Sequence, residues 1–214
     1  MIVSDDFVYL HMPKTGGGTI RSVLSTVLPK GYATPGPHPH LHPGWRFIPP
    51  EASDLPILCY IRNPWDWHVS WYMFSSRKEP KQAKLWMSAF GDEPDFPTFL
   101  RRACTGDLDH DREEIAEQLR RGEDFYTVKL RDLVGGLGPD RLTYGRFERL
   151  FDDLEAFLRR VGAPVPDDFA ARAEAVPGVH LGRRGPYRDY YDDETRALVA
   201  RTCSSVIERF GYTF

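Results

Sequence analysis

The sequence has no apolar run long enough to cross a bilayer and no leader pattern of basic, apolar and small-residue regions. Both absences lead to the expectation of a soluble, cytoplasmic protein with no membrane partner. Basic excess is missing too: the formal net charge is −3, which removes the overall footprint of a nucleic-acid binder. Cysteine is scarce. Cys59, Cys104 and Cys203 are odd in number and widely spaced, so they read as buried thiols in a reducing compartment rather than as a disulfide or metal framework. There is no internal repeat and no low-complexity tail, and no strand-like run ends in an aspartate suited to holding Mg²⁺. Lysine is far outnumbered by arginine and Ala-Arg pairs recur, which is compatible with a GC-rich bacterial source. The 214 residues, 41% hydrophobic and 28% charged, suffice for one domain, 1–214, with a sizeable core.

What is present is concentrated near the start. Phe7 to His11 is a short apolar run that reads as a buried strand, and it leads into Met12-Pro13-Lys14-Thr15-Gly16-Gly17-Gly18-Thr19. Ile20, Val23, Leu24, Val27 and Leu28 follow at helical spacing, and Pro29 and Gly31 stop that helix. Strand, glycine turn and helix start make an anion site, because the first N–H groups of a helix lack intrahelical partners and the dipole favours negative charge there. Lys14 adds a mobile cation, and Thr15 and Thr19 add hydroxyl donors. This opening implies an α/β fold with a central parallel sheet.

Ile57–Ile61 reads as a second buried strand, ended by Arg62-Asn63-Pro64; Asn63 suits an N-cap and Pro64 a first helical residue. An aromatic-rich helix from Trp65 to about Phe74 follows. Between the two strands, 29–56 is Pro-rich and reads as a long loop carrying His38, His40 and His42. Residues 77–122 look helical, broken by Pro80, Pro94 and Pro97, with one helix at Asp111–Arg121. Further expected elements are a helix at Phe125–Val134, a strand at Leu142–Gly145, a helix from Leu150 to Val161, and a last helix from about Asp192 to Phe210. Asp107, Asp109, His110 and Asp111 could be drawn as a metal cluster but read as a solvated helix start, so no metal is expected.

The loop is not an ATP-binding Walker A sequence, in which glycines precede the lysine; here Pro13 precedes Lys14 and the glycines follow. Instead, Pro13-Lys14-Thr15-Gly16-Gly17-Gly18-Thr19 resembles the 5′-phosphosulfate loop of PAPS-dependent sulfotransferases, in the His-x-Pro-Lys-Thr-Gly-Gly-Thr form of carbohydrate-type members. Gly18 stands where that form has a hydroxyl residue, with Thr19 beside it. Arg62, at a strand end, and Ser70, eight positions on (70 − 62 = 8), resemble the pair that binds the 3′-phosphate in that family. Arg183-Arg184-Gly185 is similar to its late basic segment that closes over the nucleotide.

The resemblance implies a three-layer α/β/α, P-loop-like sulfotransferase fold. It implies PAPS as cofactor, PAP as product, no metal, and a small-molecule or carbohydrate hydroxyl as acceptor. Lys14, Thr15, Gly16, Gly17, Gly18, Thr19, Arg62, Ser70, Arg183, Arg184 and Gly185 would hold the nucleotide. Lys14 would stabilise the leaving phosphate, and a histidine would take the hydroxyl proton. His40 leads for that role, because His38-Pro39-His40 is similar to a His-x-His of carbohydrate members and lies 62 − 40 = 22 residues before Arg62; His38 and His42 are the alternatives. A P-loop kinase and a non-catalytic nucleotide-binding homologue are the rival readings.

Overall fold

Two short apolar runs separated by Ser-Asp-Asp start the chain and pair as a hairpin. Strands β1 (Ile2–Ser4) and β2 (Val8–Leu10) run antiparallel, with Val3 opposite Val8 and Ile2 opposite Tyr9. The Ser4 hydroxyl pins the turn: it accepts from the Phe7 N–H at 3.0 Å and donates to the Phe7 carbonyl at 3.1 Å. The structure is a computed structural model that describes residues 1–36, 42–76, 94–106, 122, 124–177 and 185–214.

Strands β3 (Ala33–Pro35), β4 (Ile57–Ile61) and β5 (Leu142–Arg146) complete a five-stranded sheet in the order β3-β1-β2-β4-β5. The expected parallel sheet is only its centre. β2, β4 and β5 are parallel, whereas β1 is antiparallel to both β2 and β3. A tight turn can only join antiparallel strands, so the hairpin dictates the mixed sheet. The 29–56 segment is also less loop-like than its prolines suggest. It supplies β3 at the sheet edge, where Pro35 is tolerated, and single 3₁₀ turns at Trp45–Phe47 and Pro50–Ala52.

Eight helices occur among the described residues: α1 (Gly17–Val27), α2 (Pro64–Ser75), α3 (Phe96–Thr105), α4 (Phe125–Val134), α5 (Leu150–Arg160), α6 (Phe169–Ala175), α7 (Asp193–Thr202) and α8 (Ser204–Phe210). The expected single last helix is thus two, bent at Cys203 (φ −95°, ψ 14°). The Thr202 hydroxyl donates back to the Leu198 carbonyl at 3.0 Å, an arrangement that bends helices. Pro97 sits in the first turn of α3 rather than breaking it, and Asp95 caps that turn by accepting from the Thr98 N–H at 2.9 Å. The helix expected at 111–121 and the residues Asp107, Asp109, His110 and Asp111 lie outside the described residues.

The chain forms two compact units, Met1–Arg62 with Arg131–Arg183, and Asn63–Leu130 with Arg184–Phe214. In the first, α1, α5 and α6 pack on one sheet face: Ile20, Val23 and Leu24 from α1, Leu154, Phe157 and Leu158 from α5, and Phe169 from α6 meet Phe7, Tyr9, Leu58 and Tyr60. Each such side chain contributes about 1.5–3 kcal/mol on burial. All five residues of β4 are buried, which fits a strand covered on both faces.

In the second unit, Trp67 stacks on Trp71 at 5.3 Å and meets Tyr126 edge-on at 4.8 Å. Asn63 caps α2 by accepting from the Trp65 N–H at 3.1 Å, and its amide donates to the Thr213 carbonyl at 2.8 Å. Phe214 lies edge-on to Trp65, Tyr187 and Tyr191. No helix among the described residues is long and apolar enough to cross a membrane. Cys59, Cys104 and Cys203 are buried free thiols.

Candidate active site

The glycine loop leaves β2 through two buried residues, Met12 and Pro13, and then turns sharply. Lys14 has φ +64°, which makes it the only non-glycine residue in the left-handed region among those described. That conformation costs a side-chain-bearing residue roughly 1–2 kcal/mol, and such strain persists only where surrounding contacts impose it. Two contacts do so. The buried Thr15 hydroxyl donates to the Met12 carbonyl at 2.8 Å and closes the loop from inside. The Arg62 guanidinium, at the end of β4, donates through Nη1 to the Lys14 carbonyl at 2.8 Å. Arg62 itself is 6% exposed and its Cζ lies over the Phe147 ring, 3.9 Å from its centroid.

Gly16 is the N-cap of α1, in left-handed conformation (φ 80°, ψ 15°), and its carbonyl receives the first helical bond, from Ile20 N–H at 3.0 Å. No side chain caps α1 and its first turn holds no acid, whereas α2 and α7 have both a side-chain cap and a first-turn acid and α3 has the cap. The positive end of this helix is therefore not neutralised by its own cap or first turn. Gly17 is required by close approach: a Cβ there would lie 1.8 Å from His11 Nε2. At Gly18 a Cβ would meet nothing within 4 Å, so the hydroxyl residue of the resembling family's loop would fit there.

His11 is the hinge between this loop and the histidine segment. Its ring stacks on Tyr9 and stands 4.3 Å from the ring of His42. Burial, followed by the nearby His42, the amino terminus, Arg21 and Lys14, holds its pKa well below the usual histidine range, so it is neutral at pH 7. The exposed His42 places Nδ1 2.9 Å from the His11 carbonyl oxygen. An oxygen acceptor facing a ring nitrogen requires that nitrogen to carry the proton, so His42, when neutral, is an Nδ1–H tautomer whose Nε2 is basic. The segment after His42 is docked, because Trp45 packs where a Cβ on Gly136 would fall, 2.1 Å from its ring.

Of the residues expected to act, the first unit brings together Lys14, Thr15, Gly16, Gly17, Gly18, Thr19, Arg62 and His42. Ser70 is partly buried in α2, and Gly185 is exposed just before a 3₁₀ turn at Tyr187–Tyr190. His38, His40, Arg183 and Arg184 lie outside the described residues. Sequence reasoning missed Phe147 beneath Arg62 and the pairing of His11 with Gly17. The first joins positions 147 − 62 = 85 apart and Phe147 carries no motif; the second lies inside the loop motif, 17 − 11 = 6 positions apart, and follows from the turn at Lys14 and Gly16.

Compared with solved structures, the fold is similar to that of mouse sulfotransferase SULT7A1 complexed with PAP. The match has a TM-score of 0.61 and 13% identity, and covers 96% of this chain and 86% of that one. No family model matches the chain. No curated protein matches it either. At this identity the likeness establishes a sulfotransferase-like fold.

Proposed function

We propose that this protein is a PAPS-dependent sulfotransferase, a single domain over 1–214 acting on a hydroxyl of a small molecule or carbohydrate. The observation that carries the reading is the strained Lys14 turn leading into the uncapped, acid-free start of α1, with Arg62 bonded to its backbone. A phosphosulfate suits this place: the helix N-terminus and Lys14 offer positive charge, and the left-handed Gly16 makes the turn that leads the loop into the helix start. PAPS would supply the sulfuryl group and, once relieved of it, a bisphosphate leaving group. PAP accompanies the structurally similar SULT7A1.

Each residue then has a role. Lys14 holds its ammonium where negative charge grows on the departing phosphate. Gly16, Gly17, Gly18 and Thr19 contribute backbone N–H groups, and Thr19 also a hydroxyl. Thr15 contributes through its backbone, since its hydroxyl proton goes to Met12. Arg62 is assigned to the 3′-phosphate; a guanidinium has five donors, so the bond to Lys14 and a phosphate contact are compatible. Ser70 is assigned to the same phosphate, and Arg183, Arg184 and Gly185 to the nucleotide. Among His38, His40 and His42, the tautomer imposed by His11 supports His42 as the base, with Nε2 taking the hydroxyl proton. No step in this scheme uses a metal.

Thermal shift with PAP, ATP and ATP–Mg²⁺ tests the reading. PAP is expected to stabilise most; preference for ATP–Mg²⁺ would overturn it in favour of a kinase. PAP binding without sulfuryl transfer to any member of a hydroxyl library would identify a non-catalytic homologue.

A further inference from the structure

The second unit contains a buried cluster that the proposed reaction does not use. His68 of α2, Asp124 at the start of α4 and Cys203 at the α7–α8 bend are all sealed from solvent, each at 0% exposure. His68 Nε2 stands 3.7 Å from Asp124 Oδ1 and 3.8 Å from Cys203 Sγ, and the three atoms lie within 4.8 Å of one another. At 3.7 Å the imidazole and carboxylate are too far apart for a hydrogen bond. Ligands placed tetrahedrally around zinc would be separated by about 3.4 Å (N to O) and about 3.6 Å (N to S). Shifts of a few tenths of an ångström bring the two pairs at His68 Nε2 to those separations, and the Asp124–Cys203 pair, within 4.8 Å, closes by up to about 1.2 Å to reach about 3.6 Å.

The surroundings of the two ligand side chains fix how they meet. Asp124 caps the start of α4: Oδ1 accepts from the N–H groups of Tyr126 at 2.6 Å and Thr127 at 3.0 Å, and Oδ2 accepts from the Thr127 hydroxyl at 2.8 Å, so the carboxylate is held in one orientation. Both polar neighbours of the fully buried His68, Asp124 and Cys203, lie at its Nε2, while its Nδ1 has no hydrogen-bond partner among the described residues. The residues are 124 − 68 = 56 and 203 − 124 = 79 positions apart, which is why no metal spacing shows in the sequence.

We propose that His68 Nε2, Asp124 Oδ1 and Cys203 Sγ bind one zinc-type divalent cation that staples α2, α4 and the α7–α8 bend. Thiolate with imidazole selects zinc over magnesium or calcium. On binding, the Cys203 S–H bond breaks, its proton leaves to solvent and a sulfur–metal bond forms. A dication then balances one thiolate and one carboxylate, so the buried cluster becomes neutral. The site is structural and independent of the sulfuryl-transfer reading.

The test uses the whole chain, expressed with zinc and desalted, then refolded from chelator with Co²⁺. About one zinc per chain is expected, with a near-ultraviolet thiolate-to-cobalt band after refolding and a rise in Tm with Zn²⁺ that Mg²⁺ does not reproduce. The cobalt band should disappear in Cys203→Ser and survive in Cys59→Ser and Cys104→Ser. Less than about a tenth of a zinc per chain with no cobalt band in the unaltered protein would overturn the site, as would a band that persists in Cys203→Ser. If Cys203→Ser does not fold, the metal content and the Zn²⁺-dependent Tm of the unaltered chain decide.

Discussion

At the scale of single residues, two neighbouring glycines make opposite predictions. Gly17→Ala drives a methyl group into the His11 ring and should destabilise by about 1–3 kcal/mol, the range for overpacking. Gly18→Ser enters open space and should be neutral or stabilising by up to about 1 kcal/mol, since glycine is a poor helix former. Urea unfolding of the two variants checks the contrast, and equal losses would contradict the described packing. Lys14→Ala should lower sulfuryl transfer by about 10²–10³-fold, the usual cost of removing a charge-stabilising donor; near-normal turnover would take Lys14 out of the mechanism. Arg62→Ala should weaken PAP more than adenosine 5′-phosphosulfate, which lacks the 3′-phosphate. It will also loosen the Lys14 turn, a loss common to both ligands, so the difference between the two affinities is the informative measurement.

At the scale of elements, local patterns were readable where they were self-sufficient. β4 and α4 have the bounds their residues suggest, Ile57–Ile61 and Phe125–Val134, because an apolar run between breakers and a helix stopped by Gly135-Gly136 need no distant partner. The three-residue strands β1 and β3 escaped detection. Each is too short for periodicity and is stabilised by pairing across the sheet, although Ile-Val followed by Ser-Asp-Asp is a hairpin signal in retrospect. The strand, glycine turn and helix start of the loop were legible. The left-handed Lys14 and its bond to Arg62, 62 − 14 = 48 residues away, were not, since both follow from the β2–β4 pairing. Phe157 shows how α5 is held: its ring meets Phe7 edge-on at 5.6 Å within the sheet-facing core. Phe157→Ala should cost about 3–5 kcal/mol, read as a lower urea midpoint with an unchanged slope.

At the scale of the whole molecule, charge and acid response follow from the site. The net charge is −3, yet Lys14, Arg21, Arg62 and the start of α1 share one region of the first unit. Because His11 is held neutral, with its folded-state pKa below the unfolded value of about 6.5, the unfolded chain binds more protons as the pH falls. The contribution is thus fully present above about pH 6.5 and lost on acidification toward the folded-state pKa. Unfolding free energy measured from pH 7.5 to 5 should therefore decline, and His11→Gln should flatten that decline; an unchanged slope would contradict it.

The parallel pairing of β2 with β4 and of β4 with β5 also has a consequence for synthesis. Val8 waits for Ile57, 49 positions later (57 − 8), and Ile57 for Leu142, a further 85 (142 − 57). A nascent chain that has emerged only as far as α1 carries the whole Pro-Lys-Thr-Gly-Gly-Gly motif without the strand that delivers Arg62 or the Phe147 ring beneath it. On the proposed reading, anion affinity arises only after Arg62 and Phe147 have emerged, and a fragment of residues 1–36 should bind neither PAP nor inorganic sulfate.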